Sequence, residues 1–232
     1  MFFMPAQYYL FLIPGMILAG LAALLTKSTF ARYSRVGASS GLTGAQAAQQ
    51  MLHSQGIDDV KIEAVQGFLS DHYDPMHRTL RLSPDVYGSQ SLSAIGVACH
   101  EAGHALQHAA GYAPLALRTA LVPLANIGSS MAPLLLGLGF MLNMMALVKV
   151  AVIIFTAAVA FALITLPVEW DASARAKRVM VSAQIVSASE QALAGRVLNA
   201  AFMTYVAGAI TAILQLLYFL MRAGLLGGRR ND

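Results

Sequence analysis

His100-Glu101-Ala102-Gly103-His104 carries the residue types and the spacing that suit metal chemistry. On a helix, residues four apart lie one turn above each other on the same face, so His100 and His104 can aim two imidazoles at one cation. Glu101 sits about 100° round the helix from His100, close to the cation but not facing it as the pair does. That suits a base acting on water activated by the metal. The alternative is a helix whose histidines only hydrogen-bond in a core. It buries two imidazoles and a carboxylate without a cation, which is costly.

The motif has meaning only if it lies mid-helix, and its surroundings place it there. Ser91 or Ser93 can cap a helix start, and Gly111 with Pro114 behind it can end one, which predicts a helix over 91–110. Between those limits Ala94, Ile95, Val97, Ala98, Ala102, Ala105 and Leu106 are apolar, with no proline. His108 extends the face of His100 and His104 by one more turn. It stands about 6 Å further along the axis, too far for one tetrahedral ion, and reads as a polar contact. Cys99 reads as a small buried apolar residue.

Of the 232 residues, 57% are hydrophobic and 11% are charged, against about 25% charged in an ordinary soluble domain. The chain is therefore expected in a membrane, and its net charge of +4 reads as membrane-flanking basic residues rather than a nucleic-acid surface. The single cysteine excludes an internal disulfide. Residues 6–25 are uncharged and long enough for a first transmembrane helix, with Pro14-Gly15 as a kink; no basic n-region precedes it, so a retained helix is expected rather than a signal peptide. From 119 to 168 the one charge is Lys149, which gives two more spans, 119–142 and 146–166, joined by a turn at Asn143–Lys149. A fourth span is expected at 197–220, preceded by a Ser187-x-x-Glu190 capping box. The tail from Arg222 to Asp232 reads as disordered.

Residues 26–118 form the polar part. A short helix is expected at Ala45–Gln55, capped near Thr43 and stopped by Gly56. Val60–Gln66 and Thr79–Ser83 alternate as strands, and Asp74-Pro75 marks a turn, so a small antiparallel hairpin is expected. Asp71, His72, Asp74 and His77 read as turn residues rather than a second metal site. His53 reads as a helix-end surface histidine.

A catalytic zinc takes three protein ligands and keeps one position open. The acids downstream of the motif are Glu169, Asp171, Glu190 and Asp232. Glu169 stands just past the third span. The second and third spans return the chain to the side of the motif, so Glu169 comes first and Asp171 second. With the N-terminus outside, residues 26–118 and 169–196 lie inside with eleven of the fifteen Lys and Arg.

The runs Asp71-His72-Tyr73-Asp74-Pro75, Arg78 to Tyr87, Val97 to His104 and Leu166 to Ser173 resemble the YugP-like bacterial membrane zinc metallopeptidases. The resemblance covers about 2–222, and the family looks like a compact relative of the HtpX-type membrane proteases. It implies one zinc ion held by His100, His104 and Glu169, a ligand set of the gluzincin kind, with Glu101 as catalytic base. In the larger relatives an aspartate follows the third ligand by four positions; here that position is Ser173.

The expected fold is thus mainly α and integral to the membrane: four transmembrane helices, a small α+β zincin-like metalloprotease part at 26–118 with a β-hairpin, and a third-ligand helix and connector at 167–196. The expected function is zinc-dependent hydrolysis of peptide bonds in membrane or membrane-associated proteins, at the cytoplasmic surface of a bacterial inner membrane. His72, Tyr73, Tyr112 and Arg175 are candidates for the group that supports the oxyanion. The strand at Thr79–Leu82 could accept an extended substrate by strand addition. Partners are a protein or peptide substrate and the bilayer, with no nucleic acid; homo-oligomer formation is left open. A metal transporter would need ligands at mid-membrane, yet all six histidines precede the second span. An inactive scaffold would have no use for Glu101. An intramembrane-cleaving zinc protease would place the motif inside a span.

Overall fold

The structure, a computed structural model, describes residues 6–67 and 70–226. Its elements in order are α1 (Ala6–Tyr33), α2 (Gly44–Ser54), β1 (Lys61–Ala64), β2 (His72–Asp74), β3 (Thr79–Leu82), α3 (Pro84–Tyr87), α4 (Leu92–Ala109), α5 (Ala113–Met141), α6 (Met145–Ser182) and α7 (Ala188–Arg222). Helices α1, α5, α6 and α7 are each long and apolar enough to cross a membrane. They run past the limits of their apolar stretches: α1 continues beyond residue 25, and α6 carries the third apolar stretch and the segment after it as one helix. Pro167 costs α6 one backbone bond without ending it. The tail beyond 226, with Arg229, Arg230 and Asp232, lies outside the described residues, as do Phe68 and Leu69.

The chain divides into two compact units. One comprises 1–21, 117–166 and 204–232. Its described part is helical, with a core of Ala132, Leu136, Val148, Val152, Phe155, Val159, Tyr218 and Phe219. Here α5 and α6 form a helical hairpin that turns at Leu142–Met144, with Asn143 at φ 53°. A Cβ on Gly128 would come within 2.7 Å of the Ile154 carbonyl, so glycine lets the two backbones approach.

The other unit comprises 22–116 and 167–203. Its core joins Met51 and Leu52 of α2, Leu80 and Leu82 of β3, Ile95, Ala98 and Cys99 of α4, and Ala176, Met180, Ala194 and Leu198 of α6 and α7. Side-chain caps close three helix starts. Thr43 and Gln46 form a capping box on α2, and Ser91 accepts from the Ala94 amide at the start of α4. Ser187 and Glu190 form the third, and Glu190 also takes the Ser39 amide and hydroxyl, tying the segment after α1 to the start of α7. Gly111, at φ 62°, closes α4.

The strand pairing departs from expectation. The sheet order is β1-β3-β2. β1 pairs with β3 in parallel, Ile62 opposite Leu80, whereas β2 pairs with β3 antiparallel, Tyr73 opposite Leu80. The hairpin is therefore β2–β3, turning through Asp74-Pro75, and the 60–66 stretch joins from the other side. Fourteen residues separate β1 from β3, and the polar run between them forms a strand of its own. With both edges of β3 occupied, strand addition at Thr79–Leu82 is excluded; β1 and β2 are the edges.

Candidate metal centre

Three elements of the second unit build the site: α4 carries His100, Glu101 and His104, α6 brings Glu169 to the two histidines, and β2 covers Glu101. Gly103, inside the motif, sets the distance between the helices. A Cβ there would lie 2.5 Å from the Ala172 carbonyl of α6, a contact only glycine avoids. That approach brings Glu169 and Ser173, one turn apart on α6, onto His100 and His104.

His100 Nε2 lies 3.1 Å and His104 Nε2 3.7 Å from Glu169 Oε2. The two rings meet edge to face with centroids 4.9 Å apart. One donor atom from each of the three residues lies within 4.8 Å of the others, the one such group of three or more His, Cys, Asp or Glu among the described residues. Glu169 is 1% exposed and His104 7%. A carboxylate so deeply buried against two imidazoles needs positive charge nearby. The geometry fits a metal such as zinc on a second ground. The far nitrogen of each ring is already engaged, His100 Nδ1 at 3.1 Å from Ser173 Oγ and His104 Nδ1 at 3.0 Å from Gln107 Oε1, which leaves both Nε2 atoms turned inward. Burial pushes the His104 ring towards neutrality, but its hydrogen bond to Glu169 and the charge of Glu101 outweigh this and raise its pKa.

Glu101 faces the sheet. Its Oε2 accepts from the Tyr73 amide of β2 at 3.1 Å. One heptad further along α4, His108 Nδ1 lies 2.9 Å from the Tyr73 hydroxyl. Seven residues return a helix to nearly the same angle, so Glu101 and His108 share a face and Tyr73 spans it. His108 is thus a polar contact on the strand and not a member of the ligand group. Burial raises the Tyr73 phenol above its ordinary pKa.

The other named residues fall away from the three-residue cluster. Asp71 accepts from the amide and hydroxyl of Ser83. Asp74 accepts from the amides of Met76 and His77 in the turn and from Arg81, whose guanidinium, with His77, holds the carboxyl well below the usual range. His72 is exposed and its Nδ1 lies 2.7 Å from the Ser70 carbonyl. His53 pairs with Asp58 at the surface. Asp171 accepts from Arg175 and Gln107, and the Arg175 guanidinium stands over the Tyr112 ring. The residue the sequence reading passed over is Gln107. It is fully buried, and its only signal was a polar side chain three residues past His104 in an apolar helix.

Four long apolar helices and a buried His-His-Glu cluster define a membrane protein with a candidate metal centre. Residues 8–224 match the family described as "Putative neutral zinc metallopeptidase", and the chain belongs to it. It is also 48% identical, over 200 residues covering 86% of this chain and 89% of the relative, to the "Putative membrane protease YugP" of Bacillus subtilis (strain 168). No solved structure matches the chain.

Proposed function

We propose that this metallopeptidase is an endopeptidase acting on membrane or membrane-associated proteins, with His100, His104 and Glu169 as ligands of one zinc ion and Glu101 as catalytic base. The observation that carries the reading is the convergence of the two inward Nε2 atoms and Glu169 Oε2, with Glu101 beside them and bound to the edge strand. When bound, zinc supplies Lewis acidity that polarises a scissile carbonyl and eases the deprotonation of water. The Tyr73 amide holds one carboxylate oxygen of Glu101. The other is left to take a proton from the attacking water and deliver it to the leaving nitrogen. A helix bearing the motif beneath a small sheet, with edge strand β2 over the base, supports a zincin-like arrangement. Eleven of the fifteen Lys and Arg lie in 26–118 and 169–196. This supports action at the cytoplasmic face of the inner membrane.

The test is Glu101→Gln in detergent-purified protein. It should keep wild-type zinc content and lose at least 100-fold of the cleavage rate on a fluorogenic protein substrate, in line with the roughly 10²–10⁴-fold that a positioned base contributes. Zinc-loaded Glu101→Gln that cleaves within tenfold of wild type would sink the assignment.

A further inference from the structure

Gln107 has both ends of its side chain engaged. Its Nε2 lies 2.8 Å from the Val168 carbonyl and 2.9 Å from Asp171 Oδ2, and its Oε1 lies 3.0 Å from His104 Nδ1. A carbonyl and a carboxylate can only accept. Asp171 is fixed in its acceptor role by Arg175, whose Nε donates to the same oxygen at 2.6 Å. The amide must therefore turn its nitrogen to these two groups. The reverse orientation would press its oxygen against two others with no proton between them, in a place sealed from water. With the amide so turned, Oε1 faces His104, and Nδ1 of that ring must carry the hydrogen. The lone pair of the neutral ring then sits on Nε2, the atom that faces Glu169. His100 has no equivalent constraint, because its Nδ1 meets the Ser173 hydroxyl, which can donate or accept.

We infer that Gln107 is a positioning residue that sets the metal-binding tautomer of His104, with the Val168 carbonyl and Asp171 as the acceptors that orient its amide. This rests on the reading of His104 as a zinc ligand. The two acceptors come from α6, at Val168 and Asp171, an i, i+3 pair on a different side of that helix from Glu169 and Ser173. One helix thus provides a ligand on one side and, on the other, the fixed end of the device that orients a second ligand. It also gives Asp171 a place: two residues from Glu169, it is about 200° round the helix and serves the other histidine through Gln107.

The experiment uses the full-length protein in detergent micelles with ¹⁵N-labelled histidine. In the zinc-free wild type at alkaline pH, the neutral His104 ring should show its proton on Nδ1. Gln107→Leu and the unbranched Gln107→Met should lose that preference and bind zinc about 10–100-fold more weakly, as read by competition with a chelator. The wild-type ring spectrum decides the matter even if one variant fails to fold. A neutral wild-type His104 protonated on Nε2 would overturn the proposal, as would Gln107→Leu and Gln107→Met binding zinc within twofold of wild type. His104→Ala separates the two levels. If it loses zinc while the Gln107 variants do not, the tautomer device is wrong and the ligand reading stands. If it keeps wild-type affinity, the ligand reading falls and the device with it.

Discussion

Glu169 and Asp171 are two residues apart on α6, yet the structure gives them different surroundings. Glu169 is buried against both imidazoles, whereas Asp171 is partly exposed and bonded to Gln107 and Arg175. With the proposed ligand set, removing the first takes away one of three donors. Removing the second leaves the donors in place, and the Val168 carbonyl still orients the Gln107 amide. Glu169→Ala should therefore purify with less than a fifth of wild-type zinc by elemental analysis. Asp171→Ala should keep near-stoichiometric zinc and melt at a lower temperature. Zinc that survives Glu169→Ala and falls with Asp171→Ala would reverse the assignment. His100, Glu101 and His104 were legible from spacing alone, because a four-residue step on a helix fixes their relation without any tertiary information. Gln107 and Ser173 were not, since each acquires its task from a residue more than sixty positions away.

At the scale of elements, the packing of α4 on α6 is what converts a motif into a site. Gly103 allows it, and its replacement tests it directly. The added methyl of Gly103→Ala would meet the Ala172 carbonyl at 2.5 Å, a backbone atom that cannot swing aside. Overpacking of this kind costs about 1–3 kcal/mol, and any relief moves α6 outward, carrying Glu169 away from the histidines. Gly103→Ala should lower both melting temperature and zinc affinity, although the residue is no ligand; unchanged zinc affinity would show that the helix spacing is not what assembles the donors. Glycine between the two histidines can be read in the sequence, but not the carbonyl it makes room for. The sheet shows a similar limit. Alternation at Val60–Gln66 and Thr79–Ser83 reveals which residues share a face, and is silent on the direction of the partner. That direction was decided by the polar run between them, where His72–Asp74 pairs with β3 and takes the position a simple hairpin would have given to β1. In α6, the change from apolar to charged residues after Leu166 marks a change of surroundings, and the helix itself continues to Ser182.

At the scale of the whole molecule, the proposal that the site works on the cytoplasmic side makes a prediction about three positions. The α5–α6 turn contains no part of the site, and Asn143 in it is exposed. Ser40 follows α1 and Ser182 ends α6, and both are exposed. The basic residues Lys27, Arg32 and Arg35 come just before Ser40, and Arg175, Lys177 and Arg178 just before Ser182. The rule that cytoplasmic segments near a span are rich in Lys and Arg puts both serines inside and the turn outside. The native cysteine does not interfere with thiol labelling, because Cys99 is fully buried and burial pushes its thiol pKa up, so it stays unreactive. In intact cells, a membrane-impermeant maleimide should therefore label Asn143→Cys and spare Ser40→Cys and Ser182→Cys, with all three labelled after permeabilisation. Labelling of both serine positions from outside, with the turn protected, would place the His-His-Glu cluster outside the cytoplasm and direct the search for substrates to that side.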